Sequence, residues 1–288
     1  MNRKRKNIGG HIFMAVPAFL LFTVFFLYPL VKGLGMSLTN WDGIGQAKFI
    51  GLQNFRSFFS DKRAMSDIRT TLLFALGSAP LLNIAGLAYA LLMNGSFRGK
   101  SAARMFIYMP AIISPLIMGY IWYLLLQPGR GFLFHLLDKV GKGEWYGNWL
   151  GSYGTAMLVL VLVNVWQYAG MTMVIYLAGL QSIPSELYEA GKMDGASGVA
   201  AFRYITLPLL GPSIRINIIT NIIGSLSVFD VVMSLTAGGP GYQTETLSIY
   251  IMRMCYGSKT GYSTAVAVIM FFIILIPVLA ALKLTGEK

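Results

Sequence analysis

The chain has 288 residues, of which 56% are hydrophobic and 12% charged, with a mean hydropathy of +0.63. A soluble domain of this length needs far more charged surface, so the composition excludes a soluble fold and indicates an integral membrane protein. The net charge of +12 does not argue for nucleic acid: four of the bases, Arg3, Lys4, Arg5 and Lys6, stand just before the first apolar run, where the positive-inside rule places them.

The first apolar run, Ile12 to Val31, has Pro17 near its start and Tyr28-Pro29 near its end. A basic tip before an apolar run also fits a cleaved signal peptide. At about 20 residues the run is too long for a typical signal core, and no clean small-x-small site follows, so a retained spanning helix is expected. A polar stretch from Lys32 to Asp67 comes next. Its tract Ser37 to Gly43 is rich in turn formers, and Gly51 to Phe59 reads as a short amphipathic helix at the interface, where Trp41, Phe55, Phe58 and Phe59 would pack.

The second run is Thr70 to Met93, with Pro80 and Asn83 mid-run predicting a kink whose freed carbonyl is satisfied by neighbouring helices. The linker after it carries Arg98, Lys100 and Arg104 and no acid, which marks the cytoplasmic side and an anionic-lipid anchor. The third run, Met105 to Leu126, contains Pro110 and Pro115 and ends in Trp122-Tyr123, an aromatic belt. Gln127 to Gly151 mixes charge signs, carries Trp145 and Trp149, and is expected outside along the membrane surface. A fourth helix is predicted over Tyr153 to Gly179, with Asn164 and Gln167 near one face.

Between the fourth and fifth runs lies a polar segment, Ser182 to Pro212. Pro184 and Glu186 suit the first turn of a helix, and Leu187, Ala190 and Met193 give it a short apolar stripe. Asp194-Gly195 interrupts, and Gly198 through Leu207 reads as a second short helix ending before Pro208. The pair forms an acidic, bend-bounded knob on a basic membrane face, which points to a docking surface; an amphipathic interfacial helix is the plainer alternative.

The fifth run, Leu209 to Leu235, has Arg215 near its start, Asp230 near its end, and Asn217, Asn221 and Ser225 recurring every four residues. Polar groups at that depth are costly against lipid and should face protein or water. They fit interhelical bonding and the lining of a path for a hydroxylated solute equally well, as do Asn164 and Gln167. Asp230 fits a cap on such a path or one half of an ion pair, and Trp166 and Tyr168 fit ring stacking or plain packing. An external loop, Thr236 to Gly261, contains the turn Ala237 to Gly241. The sixth run is Tyr262 to Leu282.

The fold class expected is therefore all-α, with six spans (12–31, 70–93, 105–126, 153–179, 209–235 and 262–282) in one transmembrane domain, 12–283. Tails 1–11 and 284–288, and the loop 182–208, would all be cytoplasmic. His11, His135 and Cys255 are isolated, so no metal site or catalytic dyad is expected, and no phosphate-binding GxxxxGK[ST] motif is present.

From Glu189 the segment EAGKMDGA, continuing to FRYITLPLL, resembles the cytoplasmic signature of permease subunits of bacterial binding-protein-dependent ABC importers. Glu189, Ala190, Gly195, Ile205, Leu207 and Pro208 stand at the family's positions; Gly191 stands where a second Ala is usual. SLTNWDG from Ser37, GLQNF from Gly51, RMFIYMPAIISP from Arg104, YLAGLQSIPSELYEA from Tyr176, VFD from Val228 and LTAGGPG from Leu235 are similar to the carbohydrate-uptake branch, the maltose-, lactose-, raffinose- and glycerol-3-phosphate-type permeases.

The resemblance implies a type I importer permease fold in a bacterial cell membrane. It also implies the partners: a second homologous permease, two ATPase subunits that hold ATP and Mg, and an extracytoplasmic solute-binding protein. On this reading Glu189, Ala190, Gly191, Asp194, Gly195 and Ala196, with Ile205, Leu207 and Pro208, couple to an ATPase. Glu189 would bond a basic residue there, Gly195 would turn the backbone, and Pro208 would fix re-entry into the membrane. The turn Gly238, Gly239 and Pro240 would face the binding protein or be a plain tight turn. Rival functions are an ion-gradient-driven carrier, for which the spans offer only Asp230 and Arg215 as charges, and a non-transporting scaffold or sensor.

Overall fold

The computed structural model describes residues 15–143 and 146–286, so Arg3–Lys6, His11 and Trp145 lie outside the described residues. Apart from one isolated bridge, Thr39 to Phe49, the regular elements described are helical. The chain forms two compact units. One holds the described residues of Met1–Lys62 and Ile251–Met270, the other those of Arg63–Tyr250 and Phe271–Lys288.

In the first unit, helix α1 (Ala15–Met36) runs five residues past the expected end, continuing through Gly33 and Gly35. It accommodates Pro29 through a π turn, Thr23–Leu27, in which the Tyr28 amide bonds the Thr23 carbonyl. A proline removes one helix donor and crowds the preceding turn, and the wider turn gives the ring room. Helix α2 (Gln53–Ser60) is the short amphipathic element, with Phe58 buried and Phe59 exposed. Asn54 holds the intervening loop by donating Nδ2 to the carbonyls of Ser37 and Thr39, both at 2.8 Å. The Trp41 carbonyl accepts from the Gly261 amide at 2.7 Å, and a Cβ at Gly261 would lie 2.2 Å from the Thr39 carbonyl oxygen.

Helix α3 (Lys62–Asn94) contains the second expected run and extends beyond it at the N-terminal end. At 33 residues it is about 50 Å long, more than the ~30 Å hydrocarbon layer requires. Pro80 lies inside it without ending it; Asn83 donates Nδ2 to the Ala79 carbonyl and accepts the Tyr176 hydroxyl on Oδ1, both at 2.8 Å.

The third expected run is not one helix. It is split into α4 (Lys100–Ile112) and α5 (Pro115–Leu125), which meet at 96°. Ser114 is forced to extended backbone before Pro115, which then opens the new helix. Helix α6 (Phe132–Lys139) is followed by the long α7 (Tyr153–Gln181).

The knob comprises α8 (Ser185–Met193) and α9 (Val199–Leu209). The expected stop before Pro208 does not occur. A π turn, Phe202–Thr206, precedes that proline at the same offset as the one before Pro29, and the helix continues to Leu209. The bend comes instead at Leu210, ahead of Gly211-Pro212, and α10 (Gly211–Leu226) leaves at 69° to α9.

The fifth expected run also breaks at Ser227 before α11 (Asp230–Leu235). The Val228 carbonyl is satisfied across the break by the Thr246 hydroxyl at 3.0 Å. The stretch expected as an external loop contains α12 (Leu247–Tyr256), whose Leu247, Ile249 and Tyr250 are buried. The last helix is α13 (Thr260–Thr285). Helices α1, α3, α7 and α13 are each long and apolar enough to cross a membrane, and α4–α5 and α9–α10 reach that standard as bent pairs.

Small residues let the helices of the larger unit approach closely, as membrane helices require in the absence of a hydrophobic drive. A Cβ at Gly170 of α7 would stand 2.3 Å from the Ile107 carbonyl of α4, and one at Gly86 of α3 would stand 2.4 Å from Thr172 Cγ2. The apolar core nearest the knob joins Ala90, Met93, Met173, Tyr176, Leu177, Leu180 and Leu210. Two arginines close helix ends there. Arg104 donates to the Met93 carbonyl at 2.7 Å near the end of α3, and Arg215 donates Nε and Nη2 to the Thr285 carbonyl at the end of α13. The basic linker thus includes a helix cap as well as exposed charge.

Candidate functional site

The residues singled out from the sequence fall in three polar features of the larger unit: a cavity between α7, α10 and α11, the knob, and the turn that follows α11. The cavity has a volume of about 400 Å³ and is bordered by Asn164, Asn217, Asn221, Ser225 and Asp230. Five of the six positions singled out for a path therefore share one space. It also takes in Tyr168, Thr172, Thr220 and Ser227, while Leu82, Met171, Ile175 and Val228 supply apolar wall.

The polar groups around this space are held by few protein partners. Asn164 donates to Ser78 Oγ at 2.6 Å, Asn217 donates to the Thr172 carbonyl at 3.3 Å, and Thr172 Oγ1 donates to Asn221 Oδ1 at 3.3 Å. Asn217 Oδ1, Asn221 Nδ2 and the Ser225 hydroxyl are buried with no hydrogen-bond partner among the described residues. A buried polar group without a partner is costly, so these atoms mark a place for water or a hydroxylated ligand. One end of the Asn217 and Asn221 amides thus bonds a neighbouring helix, and the other has no partner among the described residues.

Gln167 is set apart. It is fully buried, and its Nε2 donates to the Ile113 carbonyl at 3.3 Å, the group released by the break between α4 and α5. It supports the bend and does not border the cavity. Trp166 likewise packs edge-on to Trp122 at 5.4 Å between centroids, whereas Tyr168 borders the cavity.

In the knob, Glu189, Ala190, Asp194 and Gly195 are exposed. Helix α8 ends in a complete Schellman cap: the Ala196 amide bonds the Gly191 carbonyl at 2.8 Å and the Gly195 amide bonds the Lys192 carbonyl at 3.1 Å. Gly195 has φ of 81°, the left-handed conformation this cap needs. A Cβ at Gly191 would lie 2.6 Å from Ile205 Cδ1, so the missing side chain seats Ile205 of α9 against α8. The Tyr188 and Thr206 hydroxyls meet at 3.0 Å and tie the two helices a second time. Ile205 is half-buried, Leu207 and Pro208 are exposed, and Leu210 at the bend enters the apolar core. The knob also exposes large apolar side chains among its charges: Met193 is 88% exposed and Val199 81%.

In the third feature, Gly238 is buried and Gly239 and Pro240 half-buried, while Gly241, Tyr242 and Gln243 are exposed. The Thr244 hydroxyl contacts the Gly239 carbonyl at 2.6 Å and the Thr236 hydroxyl at 2.9 Å, fixing the loop from within. Behind it, Glu245 is fully buried and accepts a bidentate pair from Arg63, at 2.7 Å and 3.0 Å, and Arg63 lies 3.8 Å over the Tyr242 ring. No group of three or more metal-binding side chains occurs among the described residues.

A family model described as the binding-protein-dependent transport system inner membrane component matches residues 82–284. The chain belongs to this family. It is the permease subunit of an ABC importer, a multi-pass inner-membrane protein that works with a solute-binding protein and leaves ATP hydrolysis to a separate ATPase.

The permease is 33% identical over 285 residues to a probable starch degradation products transport system permease of Thermoanaerobacterium thermosulfurigenes, covering 99% of this chain and 96% of the relative. It is 32% identical over 280 residues to a multiple sugar-binding transport system permease of Streptococcus mutans, covering 96% of this chain and 95% of that one. A trehalose/maltose transport system permease of Thermococcus litoralis is 31% identical, covering 91% and 88%. The fold also matches a crystal structure of a bacterial ABC transporter involved in the import of the acidic polysaccharide alginate. The TM-score there is 0.84 at 24% identity, over 98% of this chain and 97% of that one.

Proposed function

We propose that this permease passes a sugar or sugar-like solute inward through the cavity bordered by α7, α10 and α11. The observation that carries the reading is the gathering of Asn164, Asn217, Asn221, Ser225 and Asp230 around one space with open donors and acceptors. Sugar hydroxyls need both, and apolar wall beside them suits the faces of a pyranose ring. The carbohydrate names of the relatives support the same substrate class.

In this reading both termini and the knob are cytoplasmic, a second permease completes the path, and two ATPase subunits bind ATP and Mg. Glu189, Ala190, Gly191, Asp194, Gly195 and Ala196 dock in an ATPase, with Ile205, Leu207 and Pro208 carrying the movement to α10. The physical support is stiffness. The Schellman cap, the Gly191–Ile205 contact and Leu210 in the core leave little slack between the docked surface and the spanning helix. On the opposite side, the turn Gly238, Gly239 and Pro240 holds up an exposed tip for the binding protein.

Replacing Asn217 or Asn221 by Leu in the assembled importer tests the path. Uptake of the solute delivered by the cognate binding protein should fall severalfold while ATP hydrolysis continues. Unchanged uptake in both variants would refute the assignment of the path to this cavity.

A further inference from the structure

Among the described residues, the cavity is bordered by one carboxylate and no basic side chain. Asp230, at the first position of α11, is half-buried, and its carboxylate has no hydrogen bond or ion pair among the described residues. None of the described residues bordering the cavity is Lys, Arg or His. This is notable in a chain of net charge +12. Arg215, two residues before Asn217 on α10, is engaged with the Thr285 carbonyl and does not border the space. The remaining polar groups are amides and hydroxyls, which accept neutral partners of either polarity.

A carboxylate at the wall of a partly open cavity repels an anion there and attracts a cation, more strongly than in bulk water wherever protein lowers the local dielectric. Amide and hydroxyl groups cannot offset that field for a ligand bearing several negative charges. We propose that Asp230 sets the charge class of the solute: the cavity takes neutral or amino-bearing saccharides and discriminates against those carrying carboxylate, sulfate or phosphate groups. This rests on the reading of the cavity as the path, and it adds a selectivity that the polar stripe alone does not contain.

The test uses the whole importer (this permease, its partner permease and the ATPase subunits) in lipid nanodiscs, without binding protein, so that selection by the latter is removed. Three trisaccharide probes of equal length are titrated and followed by saturation-transfer NMR: neutral maltotriose, the cationic glucosamine trimer and a uronic-acid trimer. The expected result is binding of the first two, with the uronic-acid trimer weaker by on the order of tenfold or more. Asp230→Asn and Asp230→Ser should each bring the uronic-acid trimer closer to maltotriose and weaken the glucosamine trimer.

If the unsubstituted importer binds the uronic-acid trimer as tightly as maltotriose, or if the charge order survives both substitutions, the role of Asp230 is overturned while the path stands. If none of the three probes binds, the path reading itself fails, and the charge inference fails with it.

Discussion

Arg63 and Glu245, far apart in sequence, form a bidentate ion pair with Glu245 fully buried, at 2.7 Å and 3.0 Å. The pair fastens the first turn of α3 to the segment between the exposed Tyr242 tip and α12. Two further bonds follow the same seam: Thr70 Oγ1 donates to the Gln243 carbonyl at 3.1 Å, and the Leu247 amide donates to Thr71 Oγ1 at 2.9 Å. With the Arg63 guanidinium stacked on Tyr242, the tip is held from beneath.

Removing one partner leaves a buried charge without its counter-charge, a loss of about 3–5 kcal/mol. Arg63→Ala should therefore lower the apparent melting temperature of the purified permease complex markedly, and Glu245→Gln less, since it leaves a neutral amide that still accepts a bond. A double-mutant cycle on thermal unfolding checks the coupling between the two residues. Additive effects would show that the pair is not energetically linked.

Gly119 of α5 meets Ser234 of α11 so closely that an added Cβ would lie 2.8 Å from Ser234 Cβ and closer still to its hydroxyl. Gly119→Ala should destabilise the complex by about 1–3 kcal/mol through overpacking. The double variant Gly119→Ala with Ser234→Gly should recover most of that loss in the same melting assay.

Gly191 predicts an asymmetric tolerance. An alanine Cβ there would press on the end of the Ile205 side chain, with Cδ1 at 2.6 Å, and otherwise meet only ordinary contacts. Gly191→Ala should leave coupled uptake near normal, with the gain in helix propensity, up to about 1 kcal/mol, offset by repacking. Gly191→Phe should wedge α8 from α9 and reduce uptake per ATP hydrolysed.

At Gly195 the requirement is backbone conformation, not space: φ is 81° and no atom lies within reach of an added Cβ. A β-branched residue there costs about 1–2 kcal/mol and opposes the Schellman cap. Gly195→Val should preserve membrane insertion while lowering the ratio of transport to ATP hydrolysis, and Gly195→Asn should be the milder change.

Most of the long apolar helices were legible as apolar runs, because a helix that faces lipid demands continuous hydrophobicity whatever it does next. Direction was not legible. The run stays free of charge and mostly apolar across Ile113 and Ser114, yet α4 and α5 meet at 96° there. Pro115 was the available signal, since a proline restricts the residue before it. Pro208 misled for the opposite reason: a π turn absorbed it, and the bend fell at Leu210.

The asparagine stripe was legible from its spacing on one helix, and it gathers with Asn164 from another. Gln167 was not separable from Asn164 by sequence, because its partner is a carbonyl exposed only by the α4–α5 break. The Arg63–Glu245 pair left no local trace, since nothing in either neighbourhood encodes a contact across that separation.

Glu189 offers the most direct test of the account, which holds that the α8–α9 knob transmits ATPase movement to the spanning helices. Glu189→Ala should be compared with the unsubstituted chain in the reconstituted importer, scoring copurification of the ATPase and ATP-driven uptake of the solute held by the cognate binding protein. The account predicts a permease that inserts and pairs with its partner permease but retains less ATPase, or hydrolyses ATP without proportionate uptake. Full ATPase retention together with uptake at the unsubstituted rate would contradict it.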